Sequence, residues 1–376
     1  MVNVKQLAIL FLFTIICPLA YGQIIVMSEQ QVVDSAVKNS PAISAAQYQV
    51  LQQQQIRRSA FNLPNPEVLA ESPTGDFYTI GVLQTFEFPS VYFKQSQVYR
   101  QQEQLSSAGQ KITENDVKYQ VKLLYVQLQF MVFQTGKLRV QDSLYAEIKT
   151  AANRQFAAGQ IDFLQNAYAE SQYGEIHNKL VNAETDLLVT QQQLQNFTGI
   201  AQTITPLPIQ RAQNTQGITA LKNDTNLFMT NPLLTYYRQQ QVLNKKLISL
   251  ERNRILPGFV IGYMNQGPMS TPVNMRFRMG ITVPLWFWQY SGNVKAARYR
   301  FLESGQVYKA NRQQLSNQQI QAQGNYFKYK QSLDYYESTG LKLSEGLITS
   351  SARFYTSGQY DLVAHLRNLN DAYQIQ

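Results

Sequence analysis

The chain has almost no cysteine or histidine: Cys17 alone, and His177 and His365, among 376 residues. That excludes a Cys/His zinc site and a disulfide framework, and it leaves histidine-based catalysis without its residues. Charge is scarce as well. Charged residues make up 15% of the chain, against about 25% in a typical soluble domain, and Gln, Asn, Ser and Tyr take their place. No run of 18 apolar residues follows residue 22, which excludes a membrane-spanning helix. If the chain enters a membrane, it must do so as part of a closed β-barrel. Proline is missing from 90–156 and again from 291–355. No Gly-rich phosphate loop, nucleophile elbow or paired-carboxylate motif stands out. The reading is of a protein that is not an enzyme and needs no cofactor.

What is present begins with an export signal. Lys5 supplies the positive end, Leu7 to Leu19 the apolar run, and Ala20-Tyr21-Gly22 the small residues before a cut at Gln23. The bulky Ile16 before Cys17 favours plain cleavage over lipidation. Removing 1–22 also removes Lys5 and takes the formal charge from +9 to +8. Outside the cytoplasm that charge has no nucleic-acid partner. It suits a surface near lipid headgroups, where Arg57-Arg58 and Lys245-Lys246 hold matching places.

The rest is written twice. Asn39-Ser40-Pro41-Ala42 returns as Thr230-Asn231-Pro232-Leu233, and Leu63-Pro64-Asn65-Pro66 as Leu256-Pro257-Gly258. Phe88-Pro89 returns as Val283-Pro284, and a Gly-Gln-x-Asp at 159–162 recurs at 358–361. The separations rise steadily: 191 at Pro41, 193 at Pro64, 195 at Pro89 and 199 at Gly159. Two tandem copies with small insertions behave this way. The domains read as a signal peptide (1–22), a first repeat (23–200), an inter-repeat segment (201–229) and a second repeat (230–376).

Each copy opens with a helix (about 28–60; about 231–254), followed by two strands. These are Glu67–Glu71 and Phe77–Phe88 in the first copy, and Phe259–Asn265 and Met275–Val283 in the second. A long proline-free helix follows. In the first copy Val117, Leu124, Met131, Leu138 and Tyr145 recur every seven residues, with Val121 and Leu128 between them. Leu333, Tyr336, Leu343, Leu347 and Phe354 repeat the pattern in the second. That is the narrow seam of packed, near-parallel helices. About 65 residues of helix span roughly 100 Å at about 1.5 Å per residue, a rod that no compact domain needs. Gly159 and Gly358 stand where a left-handed cap would end the rods, and Asp162 and Asp361 where side chains would start the return helices.

The strands alternate. Phe277, Met279, Ile281 and Val283 share one face, and Arg276, Arg278, Gly280 and Thr282 the other. Phe259, Ile261 and Tyr263 likewise share a face, as do Tyr78, Ile80, Val82, Phe86 and Phe88 in the first copy. A lipid-facing barrel wall gives this period, and so does a soluble sheet with one buried face. Four strands are about half the smallest membrane barrel, so membrane insertion would require several chains to pool their strands.

These features together resemble the TolC family of outer-membrane efflux proteins: the export signal, the tandem copies, and Asn-Ser-Pro-Ala opening the first. Leu-Pro-Asn-Pro-Glu at 63–67 leads into a strand, Phe-Glu-Phe-Pro at 86–89 opens the long helix, and Gly-Gln-x-Asp marks both tips. The Pro-Asn-Pro-Glu form is similar to the branch that serves heavy-metal exporters of the resistance-nodulation-division type. The resemblance implies an α+β membrane protein in which long helical hairpins build an α-barrel and four strands per chain contribute to a shared trimeric β-barrel. It implies a homotrimer in the outer membrane of a Gram-negative bacterium, contacting outer-membrane lipid and extending into the periplasm. It implies two protein partners, a periplasmic adaptor (membrane fusion protein) and an inner-membrane resistance-nodulation-division pump. The function would be a passive conduit exporting toxic ions or small molecules. The alternative is a periplasmic coiled-coil adaptor or structural protein that never inserts.

A conduit needs no catalytic residue. The candidate sites are the tips that the resemblance places against the adaptor: Arg154, Gln155, Phe156, Gly159, Gln160 and Asp162 in one, and Arg353, Phe354, Gly358, Gln359 and Asp361 in the other. Turn and cap chemistry alone would require the same Gly and Asp. Arg276 and Arg278 are the candidates to face a lumen. Met264, Met269, Met275 and Met279 fall within 16 residues, and thioethers are soft ligands, but on strands methionine is ordinary apolar filler. No metal site is expected. The final helix should run to about residue 396 by analogy with the first copy, whereas the sequence ends at Gln376, so a short or truncated last helix is expected.

Overall fold

Prolines set three of the helix starts, at Pro41, Pro89 and Pro232. A computed structural model describes residues 24–71, 79–209, 225–265, 272 and 276–376. The expected signal at 1–22, strand residues Phe77 and Tyr78, and Met269 and Met275 lie outside them. A short strand β1 (Ile24–Met27) leads into helix α1 (Glu29–Asn39), whose start is closed by a capping box between Ser28 and Gln31. Helix α2 (Pro41–Arg58) follows at once. The single helix expected over 28–60 is therefore two. Ser40 is extended (φ −68°, ψ 119°) because the residue before a proline is pushed out of the helical region, and Pro41 has no N–H to continue the ladder.

Strands β2 (Glu67–Glu71) and β3 (Thr79–Phe86) lead to helix α3 (Pro89–Ala157), 69 residues without a break. Helix α4 (Phe163–Thr198) returns to strand β4 (Thr203–Pro206). Helix α5 (Thr225–Thr230) closes the inter-repeat segment, and the second copy contributes helix α6 (Pro232–Asn253) and strands β5 (Gly258–Met264) and β6 (Phe277–Thr282). Asn231 caps α6 by accepting from the Leu234 N–H at 3.2 Å. Helix α7 (Phe287–Tyr335) passes through a π turn (Tyr336–Gly340) into helix α8 (Leu341–Thr356), and helix α9 (Leu362–Ile375) completes the chain. The proline-free stretch expected to be one helix is thus interrupted. Phe287–Thr356 holds one residue more than Pro89–Ala157, and a π turn is the local winding that absorbs a single inserted residue.

The chain packs as two units that interleave the sequence halves. One holds residues up to Ser40, Val117–Ala212 and Lys328–Gln376; the other holds Pro41–Asp116 and Gln213–Phe327.

In the first unit Tyr145, Ala152, Ala169, Ile176, Leu362, Leu366 and Leu369 form a core among α3, α4 and α9, and a smaller cluster joins Leu138, Leu180 and Ala183. β1 and β4 pair in parallel, an element the sequence reading missed. The buried Tyr125 hydroxyl ties them, donating to the Met27 carbonyl at 2.9 Å and accepting from the Leu207 N–H at 3.0 Å. The first hairpin's seam holds at Val117, Val121, Leu128, Leu138 and Tyr145, all buried, while Leu124 and Met131 are half-buried. The second hairpin's expected seam does not hold. Leu333, Tyr336, Leu343 and Leu347 are exposed, and Ser344 and Ser351 face α9 instead. Small hydroxyl side chains let α8 and α9 approach closely, and the larger apolar residues turn outward.

In the second unit Val91, Val98 and Leu105 of α3 interlock with Leu243 and Leu250 of α6, both at seven-residue spacing. The four strands form one antiparallel sheet in the order β2-β3-β5-β6.

Candidate functional site

The two hairpin tips, both in the first unit, share one backbone device. At the end of α3 the Gly159 N–H donates to the Phe156 carbonyl and the Gln160 N–H to the Gln155 carbonyl, each at 2.9 Å. At the end of α8 the Gly358 N–H donates to the Tyr355 carbonyl at 3.1 Å and the Gln359 N–H to the Phe354 carbonyl at 2.9 Å. This double closure needs a left-handed residue, and Gly159 (φ 69°) and Gly358 (φ 72°) supply it. Asp162 then starts α4 by accepting from the Gln165 N–H at 2.7 Å, and Asp361 starts α9 by accepting from the Ala364 N–H at 2.7 Å. Both aspartates and both glycines are accounted for by turn and cap chemistry.

The remaining expected tip residues divide by exposure. Arg154, Phe156, Gln160, Arg353 and Gln359 are exposed, while Gln155 and Phe354 are half-buried. The two tips touch where the Tyr355 hydroxyl donates to Gln155 Oε1 at 3.4 Å. Phe354 packs on Tyr360 with ring centres 5.1 Å apart. Phe156 meets Phe163 edge-on at 6.4 Å. Phe163 and Leu164, unremarked in the sequence, are 67% and 74% exposed. Their signal was available: two large apolar residues in the first turn of a helix, directly after its cap. The first tip thus carries three exposed apolar side chains, Phe156, Phe163 and Leu164, and an exposed Arg154.

Behind the second tip lies a buried histidine. His365 shares a 2.8 Å hydrogen bond with the Ser351 hydroxyl through Nδ1 and stacks on Tyr355 at 4.9 Å with the rings nearly parallel. Burial pushes its pKa below the usual 6.5, against a smaller opposing effect of the Ser351 hydrogen bond. The folded state therefore binds fewer protons than the unfolded one once the pH falls below that ordinary value. The stability this site contributes is present above about pH 6.5 and declines on acidification. Limited proteolysis of α8 and α9 should accelerate from about pH 7.5 to about pH 5 in the wild type, and the His365→Gln variant should flatten that dependence. His177, in contrast, is exposed and pairs with Asp142 at 3.0 Å.

The sheet, in the second unit, has two unlike faces. The observed register places Val68, Ala70, Ile80, Val82, Phe86, Phe259, Ile261, Tyr263, Phe277, Met279 and Ile281 on one of them. Most of these are exposed, from Tyr263 at 38% to Val68 at 73%. The opposite face carries Glu67, Glu71, Arg276, Arg278 and Thr282 among Gly81, Gly258, Gly262 and Gly280. Arg276 and Arg278 thus stand on the polar face, as expected. Arg278 Nη1 lies 3.1 Å from the Met264 sulfur, and Arg276 bonds the Asn265 side chain. Met264 and Met279 occupy opposite faces and cannot share an ion. No group of three His, Cys, Asp or Glu side chains suited to a metal occurs among the described residues. No described helix is long and apolar enough to cross a membrane.

No family model matches the chain, and no curated protein does. Solved structures do. The chain is similar to the CmeC outer membrane channel of Campylobacter jejuni, with 14% identity, a TM-score of 0.70, and coverage of 92% of this chain and 81% of that one. It is similar to CusC, described through conformational changes accompanying folding and transmembrane channel formation, with 14% identity, a TM-score of 0.71 and coverage of 92% and 86%. It is also similar to the outer membrane protein VceC of Vibrio cholerae, with 12% identity, a TM-score of 0.70 and coverage of 92% and 91%. The fold is that of these outer membrane channels, mostly helical with a few strands, and the resemblance to the TolC family holds at the level of fold.

Proposed function

We propose that a chain with this fold works as an outer-membrane channel of a Gram-negative cell, extending into the periplasm and passing toxic ions or small molecules outward without chemistry. One observation carries the reading: a four-stranded sheet whose apolar face is exposed along all four strands. In water such a face is a liability; in lipid it is the wall. Four strands leave two open edges, which lipid does not tolerate, so several copies share one barrel, and three would give twelve strands. The outward-turned Leu333, Tyr336, Leu343 and Leu347 of the second hairpin support the same assembly, because they are large apolar side chains left exposed on a single chain.

The tips are the end of the molecule that meets a periplasmic adaptor and, through it, an inner-membrane pump of the resistance-nodulation-division type. Exposed Phe156, Phe163 and Leu164 give that contact an apolar anchor, and exposed Arg154 on the same tip adds a charge. The Pro-Asn-Pro-Glu at 64–67 supports heavy-metal ions as cargo. The test is fractionation followed by unheated gel electrophoresis. The protein should be in the outer membrane and run as an oligomer that collapses on heating. Deletion of its gene should sensitise cells to the cargo. A monomer that stays folded in buffer without detergent would refute the channel and favour a non-inserting periplasmic protein.

A further inference from the structure

The two open edges of the sheet carry opposite charge on the same face. Edge strand β2 bears Glu67 and Glu71, two positions of one face four residues apart; edge strand β6, with Arg276 just before it, bears Arg276 and Arg278 on that same face. Glu67 and Glu71 are exposed, and among the described residues neither has an ion-pair partner. Arg278 rests on a thioether, a weak acceptor. The inner strands between these edges contribute no charge to the face: its positions there are Thr79, Gly81, Leu83, Thr85, Gly258, Val260, Gly262 and Met264. Charge is therefore confined to the edges, negative on one and positive on the other.

We propose that these four residues form a charge ladder that joins one copy of the chain to the next, β6 of one beside β2 of its neighbour, and fixes the register between them. The proposal rests on the channel reading. It commits to a second copy of this chain as the occupant of each edge. β2 and β6 run in opposite directions within the sheet, so their meeting between copies is antiparallel, as a closed barrel of these sheets requires. In such a pair, residues directly opposite interact strongly, and those two further along stay within reach of long side chains. Two registers engage all four charges. One sets Arg278 opposite Glu67 with Arg276 between Glu67 and Glu71; the other sets Arg276 opposite Glu71 with Arg278 between the two. A slip of one residue would send the arginines to the apolar face. Like edges repel, so β2 does not pair with β2, nor β6 with β6. That rule makes the assembly head-to-tail around a ring rather than a two-fold dimer.

Two experiments test the ladder on the full-length protein in detergent. Glu67→Lys with Glu71→Lys, and separately Arg276→Glu with Arg278→Glu, should each abolish the heat-sensitive oligomer, and all four reversals together should restore it. Cysteine pairs on the uncharged face read the register with every ladder charge kept. Phe277→Cys with Val68→Cys should cross-link copies in the first register, and with Ala70→Cys in the second. Either result supports the ladder. Single-edge reversals that oligomerise like the wild type, four reversals that fail to restore, or cross-links confined to Val68→Cys with Ile281→Cys would overturn it. A wild-type chain that does not oligomerise at all would instead remove the channel reading on which the ladder stands.

Discussion

Arginine at both Ile261 and Met279 should keep the protein out of the outer membrane. The two side chains face each other across β5 and β6 on the apolar face, at 49% and 71% exposure. An arginine on the lipid face of a barrel costs about 2–4 kcal/mol at the bilayer midplane, so the pair costs about 4–8 kcal/mol against a total stability of about 5–15 kcal/mol. Arginine at Gly280, next to Met279 but on the polar face, adds one such charge where a Cβ meets only Val260 at 3.9 Å. That variant should insert normally. The sign of the result separates two readings of one alternation. A soluble sheet with an exposed apolar face would become more soluble with Ile261→Arg and Met279→Arg and lose nothing. Outer-membrane levels measured after fractionation should fall to near zero for the pair and stay at the wild-type level for Gly280→Arg.

The contrast between those faces was legible in the sequence because strand side chains alternate strictly. Ile261, Met279, Arg276 and Arg278 needed only the period of two to be placed. The tips were legible for a different reason: a left-handed glycine followed by a capping aspartate is a local device, written in four consecutive residues. The second hairpin's seam was not legible. Leu343, Leu347 and Phe354 carry the right spacing, yet Ser344 and Ser351 make the contact with α9. Spacing says which residues share a face and leaves open which neighbour that face meets. The π turn at Tyr336–Gly340 also escaped, since one inserted residue leaves no mark on composition. β1 and β4 escaped because strands of four residues, far apart in the chain, show no period at all. Phe163 and Leu164 were legible as two large apolar residues directly after a capping aspartate, whereas only the folded chain reveals that His365 is buried.

Valine at both Gly159 and Gly358 should abolish transport while leaving outer-membrane insertion intact. Both glycines hold φ near +70°, a region that costs an ordinary L-residue about 1–2 kcal/mol and a β-branched one more. Space is no obstacle, for a Cβ at either position meets nothing within 4 Å. The penalty lies entirely in the backbone, at least about 2–4 kcal/mol for the pair. The cheapest relief is to unwind the last turn of α3 and of α8. That breaks the bonds closing each tip and moves Phe156 and Phe354 from their ring partners Phe163 and Tyr360. The sheet belongs to the other unit and takes no part in this unwinding. Asparagine tolerates the left-handed region, so Gly159→Asn with Gly358→Asn should retain most transport. Efflux in cells carrying each pair, normalised to the outer-membrane level of the protein, measures the difference. Wild-type efflux from the valine pair would mean that the tips serve only to turn the chain, and the docking role would then have to move to another surface.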